Sequence, residues 1–181
     1  MNILLFNGSP RKKGNTSNLT KEFQSIAEYQ GHTVYTVDSI DPCIHCTACH
    51  KTGYCPLKDS FPNQSVEVCE MDAIVIASPI HFFSITPKAL GFLTRFYAHD
   101  LDSKPIGLIL VSGSDFEEGG TSLIVNQFKS IDQYCGSYTV SPFHKVTYDK
   151  IWDVSDLDRV GLEHLLYRLQ EASSMLGGVS E

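Results

Sequence analysis

No apolar run in this chain approaches the roughly 20 residues needed to span a bilayer. The opening residues, Met1 to Gly8, carry no basic stretch ahead of an apolar core and no small-residue cleavage pattern, so they read as a buried strand rather than a secretory leader. Positive charge is scarce: 14 Lys and Arg stand against 21 Asp and Glu, for a formal net charge of −7. These cations are scattered, whereas nucleic-acid binders concentrate them on one face. The exception is the run Arg11, Lys12 and Lys13. Internal repeats and linkers are absent too. These absences predict a cytoplasmic protein with neither a membrane nor a nucleic acid as partner. What is present fits one domain across residues 1–181, with an apolar fraction of 42% that is ordinary for a chain with a real core.

Strand and helix patterns alternate along the chain. Residues 2–7 form a short apolar run stopping at Asn7-Gly8. Leu19, Phe23, Ile26 and Ala27 place an amphipathic helix over 16–30. The β-branched stretch 32–37 predicts a strand, and a weak helical pattern lies near 63–70. Residues 72–78 and 105–111 are continuously apolar, as in strands buried on both faces. Thr86-Pro87 marks a helix start, with Ala89, Leu90, Leu93, Phe96 and Tyr97 at helical spacing behind it. Ile124, Phe128 and Ile131 mark another helix, and 137–140 a last strand. Ser155, with Asp158 three residues on, caps a tail helix carrying Leu162, Leu165, Leu166, Leu169 and Leu176 and stopping at Gly177. Such alternation predicts an α/β fold, a parallel sheet covered on both faces. Ligands of such sheets bind beyond the carboxyl ends of the strands. The chemistry is therefore expected in the loops after residues 7, 78 and 111.

The first loop runs Gly8-Ser9-Pro10-Arg11-Lys12-Lys13-Gly14-Asn15-Thr16-Ser17. Amides at a helix N-terminus lack intrahelical acceptors and carry positive potential, which suits a phosphate. Ser9, Thr16, Ser17, Asn15 and Arg11 add donors, and Lys13 adds a further cation. A plain strand–helix connection capped by Asn15 or Thr16 is the alternative. Other phosphate motifs do not fit. Five residues separate Gly8 from Gly14, and Asn15 follows, where a Walker A loop needs four and then Lys. The dinucleotide pattern Gly-x-Gly-x-x-Gly is missing, and so is the loop cysteine that a low-molecular-weight tyrosine phosphatase uses as nucleophile.

The segment Gly-Ser-Pro-Arg-x-x-Gly-Asn-Thr at the end of a first strand resembles the NAD(P)H-dependent FMN reductase family of flavodoxin-like proteins. Ser78-Pro79-Ile80-His81-Phe82-Phe83-Ser84 resembles the family segment that wraps the isoalloxazine ring, with His81 where the family usually has Tyr. The helix from Lys88 to Arg95 resembles the family's Lys-x-x-x-Asp-Arg helix. The resemblance runs from residue 1 to about 140. It implies a doubly wound five-stranded parallel sheet in the order 2-1-3-4-5. It implies FMN bound by Ser9, Arg11, Lys13, Asn15, Thr16 and Ser17 at the phosphate. Pro79, Ile80, His81, Phe82 and Phe83 would lie along the ring, and Ser112, Gly113 and Ser114 at its edge. Phe82 and Phe83 read equally well as core packing, and the third loop, through Gly120, equally as a flexible surface connection.

Cys43-x-x-Cys46-x-x-Cys49-x5-Cys55-Pro56 lies within a loop at 41–59. In a reducing compartment such thiols point to metal or redox chemistry rather than to disulfides. Iron–sulfur clusters are held by similar thiolate runs, while structural zinc usually needs two pairs across a longer gap. The run resembles the iron–sulfur flavoprotein branch of the same family. That implies a [4Fe–4S] cluster on Cys43, Cys46, Cys49 and Cys55. Asp59-Ser60-Phe61 partly matches the Asp-Asp-Met that the family carries after its last cysteine. Free thiols in a lid or dimer contact are the alternative. His45 and His50 read as loop residues, and Cys69 and Cys135 as buried small hydrophobes.

The expected function is an FMN-dependent oxidoreductase, a homodimer. It would take electrons from NAD(P)H to a quinone, a small electrophile or a redox protein, with no catalytic acid or base required of the chain. A flavodoxin-type electron carrier without enzymatic turnover and a cysteine-loop redox or metal sensor are the competing readings.

Overall fold

The computed structural model describes residues 1–37, 40–52, 55–59, 61, 68–96, 100–114, 120–147 and 151–177. Within them the chain runs β1 (Asn2–Asn7), α1 (Asn15–Tyr29), β2 (Thr33–Val37), α2 (Cys49–Thr52), β3 (Ala73–His81) and β4 (Ser84–Ile85). It continues through α3 (Pro87–Leu93), β5 (Pro105–Ser112), α4 (Thr121–Cys135), β6 (Tyr138–Thr139), β7 (Phe143–Val146) and α5 (Asp156–Gly177). The sheet path is β2-β1-β3-β5-β6, all parallel, with β7 also paired to β5 and β4 antiparallel to β3. The sheet is doubly wound and flavodoxin-like, as the sequence implies, but has seven strands rather than five; the expected order 2-1-3-4-5 emerges only with β4 set aside and β6 and β7 counted as one interrupted strand.

The strands alternate their side chains between two cores, as the pleat requires. Ile3, Leu5, Val75 and Ile109 face α1 and α5, meeting Leu19, Phe23, Leu162, Leu165, Leu166 and Leu169. Leu4, Phe6, Ile74, Ile76, Leu108 and Leu110 face α3 and α4, meeting Ala89, Phe92, Ile124 and Phe128. Phe6 and Phe92 stack with centroids 4.2 Å apart. At the end of β1, Gly8 N donates to Ala77 O at 2.7 Å, and a Cβ there would sit 2.8 Å from Ala89 Cβ. Only glycine lets the loop leave the sheet so close to β3 and α3.

Two helix starts match the sequence. Thr86 caps α3, accepting from Ala89 N at 3.1 Å, with Pro87 at the first helical position. Ser155 and Asp158 cap α5 reciprocally: Asp158 N donates to Ser155 Oγ at 3.3 Å and Ser155 N to Asp158 Oδ2 at 3.0 Å. Other expectations change. β3 extends past residue 78 to His81 and turns back into β4. The last strand is interrupted at Ser141-Pro142 and resumes as β7, because proline cannot donate to the ladder. α3 stops at Leu93, although Phe96 still packs on the core. Cys69 is exposed and Cys135 half-buried, so Cys69 is not the core hydrophobe expected. Most of the weak helix near 63–70, and Tyr97, lie outside the described residues. No described helix is long and apolar enough to cross a membrane.

Candidate functional site

The loop after β1 is braced from within. Ser9 N donates to Asn7 Oδ1 at 3.0 Å, Arg11 N to Ser9 Oγ at 3.2 Å, and Ser17 Oγ to Arg11 O at 2.9 Å. Thr86 Oγ1 donates to Gly8 O at 2.7 Å and Lys88 Nζ to Asn7 O at 2.8 Å, which ties the loop to α3. The N-cap of α1 is Gly14, which offers no side-chain acceptor. The first intrahelical bond runs from Asn18 N to Gly14 O, so the amides of Thr16 and Ser17 precede it. Asn15 is therefore inside the helix, not its cap, and its Oδ1 accepts from Trp152 N at 2.9 Å.

This uncapped helix end faces a cavity of about 350 Å³. One wall is Ser9, Pro10, Arg11, Gly14, Asn15 and Thr16. The opposite wall is Pro79, Ile80 and His81 at the end of β3, with Val111, Ser112, Thr147 and Ile151 closing the remainder. Beyond His81 the chain reverses through Phe82 and Phe83, both left-handed at φ 51° and 63°. Two-residue hairpin turns favour this backbone but usually place Asn-Gly in it, and a bulky side chain there is strained. The turn is held from the other side: a Cβ on Gly120, itself at φ 78°, would lie 2.8 Å from Phe83 Cα. Phe82 is 97% exposed and Phe83 55%, so neither packs in the core.

At the third strand end, Ser112 is buried; its hydroxyl donates to Ser114 O and lies 2.6 Å from His144 Nε2. Gly113 and Ser114 do not line the cavity, and residues 115–119 lie outside the described ones.

The cysteine loop hangs from the far end of α3. Cys43 N donates to Thr94 Oγ1 at 3.1 Å, Asp41 N to Asp59 Oδ2 at 2.9 Å, and Arg95 Nη1 to Asp41 O at 2.8 Å. Arg95 and Asp59 form an ion pair at 2.5 Å with side chains only 1% and 9% exposed. Burial works to raise the Asp59 carboxyl. The Arg95 hydrogen bond, the amides of Asp41 and Phe61 and the Arg95 charge outweigh it and hold the group below its ordinary value. The Cys55 thiol lies in the field of the same guanidinium. All four loop cysteines are free; Cys43 and Cys46 are exposed, Cys49 and Cys55 half-buried. His45 N donates to Cys43 Sγ at 3.3 Å, and His45 and Thr47 are left-handed. Among the described residues, however, no three His, Cys, Asp or Glu side chains gather as a metal would require. The short loop has little apolar surface with which to draw its thiols together.

A family described as NADPH-dependent FMN reductase matches residues 1–145. The chain belongs to that family. It is an FMN-dependent oxidoreductase with a flavodoxin-like fold. An iron–sulfur flavoprotein of Methanocaldococcus jannaschii is 28% identical over 70% of this chain and 69% of its own length. Another, from Archaeoglobus fulgidus, is 32% identical over 51% of this chain and 44% of its own length. Among solved structures, RosB with a bound 8-demethyl-8-formylriboflavin-5'-phosphate intermediate superposes with a TM-score of 0.72 at 15% identity, covering 100% of this chain and 82% of that one.

The donor chemistry of the cavity suits FMN. It has an uncapped helix end, hydroxyls and a guanidinium on one side, and the apolar Pro79 and Ile80 with His81 on the other. Of the residues expected from sequence, the cavity brings together Ser9, Arg11, Asn15, Thr16, Pro79, Ile80, His81 and Ser112. Ser17 is buried behind the loop, supporting Arg11 O. Lys13, Phe82, Phe83, Gly113 and Ser114 stand outside its lining. Sequence reasoning missed Pro10, Gly14, Val111, Thr147 and Ile151. Pro10 and Gly14 were legible in the loop motif itself. Thr147 and Ile151 come after the last recognised strand and carry no motif; only folding brings them back to the loop.

Proposed function

We propose that this family member oxidises NAD(P)H on FMN held in the cavity of about 350 Å³ and passes the electrons to a quinone, a small electrophile or a redox protein. The observation that carries this is the uncapped N-terminus of α1 facing Pro79–His81 across that cavity. FMN, when bound, accepts a hydride and releases electrons one or two at a time. The chain positions it. The amides of Thr16 and Ser17, with Ser9 and Arg11, meet the terminal phosphate. Pro79 and Ile80 would give the ring an apolar wall, with the exposed His81 beside them. Ser112, held by Ser114 O and His144, would border the bound group at the third strand end.

We propose further that Cys43, Cys46, Cys49 and Cys55 hold a [4Fe–4S] cluster, which would supply a one-electron carrier. Their spacing, their free thiols and the names of the curated relatives support this; the ungathered loop means that metal binding must draw the ligands together. A homodimer and a reducing, cytoplasmic setting complete the reading. The exposed Phe82–Phe83 tip supports the first, and six thiols with no disulfide among them the second.

An anaerobic absorption spectrum of the purified protein, with iron and acid-labile sulfide assays, tests both cofactors. NAD(P)H oxidation under steady-state conditions tests the activity. FMN uptake with turnover is expected. Bound FMN without turnover makes the chain an electron carrier. Failure to take up FMN overturns the reading. Iron below the level of the protein, after anaerobic reconstitution, overturns the cluster. Sedimentation velocity reads the dimer.

A further inference from the structure

The wall formed by Ser9, Pro10 and Arg11 has two sides. One faces the flavin cavity. The other borders a separate cavity of about 740 Å³ between the loop, the outer face of α1 and the end of β2. Its chemistry is unusual for a chain of net charge −7. Arg11, Lys12, Lys21 and Lys88 line it, and no carboxylate does among the described residues. Arg11, Lys12 and Lys21 are exposed and have no ion-pair partner among the described residues.

The arrangement comes from helix geometry. Ser17, Thr20, Lys21 and Gln24 fall at i, i+3, i+4 and i+7 on α1, so they present one face to the cavity. Ser17 and Thr20 are buried and form its floor, their hydroxyls donating to Arg11 O at 2.9 Å and Thr16 O at 2.7 Å. With those hydroxyls committed to the backbone, Lys88 Nζ donating to Asn7 O and Gln24 Nε2 to Glu28 Oε1, the groups offered to a ligand are the ammonium groups of Lys12 and Lys21 and the Arg11 guanidinium. Lysine ammonium groups act as point charges toward phosphoryl oxygens and impose little geometry. Leu5 contributes a small apolar patch beside them.

We propose that this cavity is a second phosphoryl-binding site, back to back with the first across the loop. It takes a phosphorylated small molecule bearing at least two negative charges. Two sources share that chemistry: the phosphorylated adenosine end of a nicotinamide coenzyme and a free phosphorylated metabolite. Lys12 and Lys21 carry the recognition, because they line this cavity alone, while Arg11 lines both.

The test is calorimetric titration of pyrophosphate into FMN-loaded protein at low salt, compared with the Lys12→Ala/Lys21→Ala variant. Saturable one-to-one binding is expected. The double substitution should weaken it at least ten-fold while leaving FMN content, read by absorbance, unchanged. Both positions are exposed, so the variant folds; Lys21→Gln alone should give an intermediate loss. A parallel titration with 2′,5′-ADP separates the sources. Competition with NADPH identifies the coenzyme end, and binding without competition identifies a free metabolite. No saturable binding, or equal affinity in the variant, overturns the proposal. So does joint loss of FMN and pyrophosphate, since that would make the two cavities one site. A protein that takes no FMN would sink the reductase reading instead, and the same comparison on flavin-free protein would still read Lys12 and Lys21.

Discussion

The backbone amide of Trp152 donates to Asn15 Oδ1 across 2.9 Å, and Asn18 Nδ2 returns a bond to Trp152 O at 3.3 Å. Two α1 side chains next to the loop after β1 thus hold a segment 134 or more residues away in sequence. That segment brings Ile151 to the cavity, although it lies beyond the part of the chain that matches the family. Replacing Asn15 by Ala should weaken FMN binding about ten-fold, from one lost donor and a loosened segment at about 1 kcal/mol or somewhat more. Fluorescence quenching on titration with FMN reads it; unchanged affinity would show that the segment holds itself.

The Arg95–Asp59 pair is buried on both sides. Asp59→Asn leaves a guanidinium without its countercharge under Phe61, whose ring centroid lies 4.8 Å from it. A loss of about 3 kcal/mol in urea unfolding is expected, because a broken buried pair strands a charge. Changing both residues, Arg95→Met with Asp59→Asn, should recover part of it. A single-mutant loss under about 1 kcal/mol would mean that water reaches the pair.

Asp158 gives a pH signature. Burial works to raise its carboxyl, but hydrogen bonds from Lys145 and Ser155 and the Lys145 charge outweigh it and lower the group below its ordinary value. A depressed carboxylate contributes stability above its unfolded pKa of about 4 and loses it as pH falls through the lower folded value. The wild type should therefore exceed Asp158→Asn in Tm near neutral pH, and the gap should close as pH drops below about 4. A gap that persists in acid would assign the effect to the α5 cap instead.

Phe82 is left-handed at φ 51° and 97% exposed, so its side chain has strain and little packing to offset it. Phe82→Asn should raise stability by about 0.5–1 kcal/mol, since Asn tolerates this backbone. If the tip also touches flavin, a second copy or substrate, FMN affinity or dimerisation should fall, or KM should rise, in the same variant. A destabilised variant would contradict the strain.

Much of the fold was legible because periodicity reports burial directly. The apolar runs of β1, β3 and β5 are strands covered on both faces, and the Thr86-Pro87 and Ser155/Asp158 signals sit where the helices start. Local chemistry also marked half of the cavity, because a strand that ends in donors before a helix is a local pattern. What escaped was non-local. β7 has four residues and no distinctive period, and Thr147 and Ile151 reach the cavity only through contacts with α1 and β5. The cysteines show the reverse case, an explicit spacing with no gathered site behind it among the described residues.

By itself, then, the sequence determined the strand–helix alternation, the donor-rich loop from Ser9 to Ser17 and the stock of thiols. These depend on neighbours within a few residues. Tertiary structure alone decided that Phe82 and Phe83 turn outward, that Trp152 closes on Asn15, and that Lys12 and Lys21 share a cavity on the far side of the loop. Those outcomes depend on which distant segments compete for the same surface, and only the packed chain settles that competition.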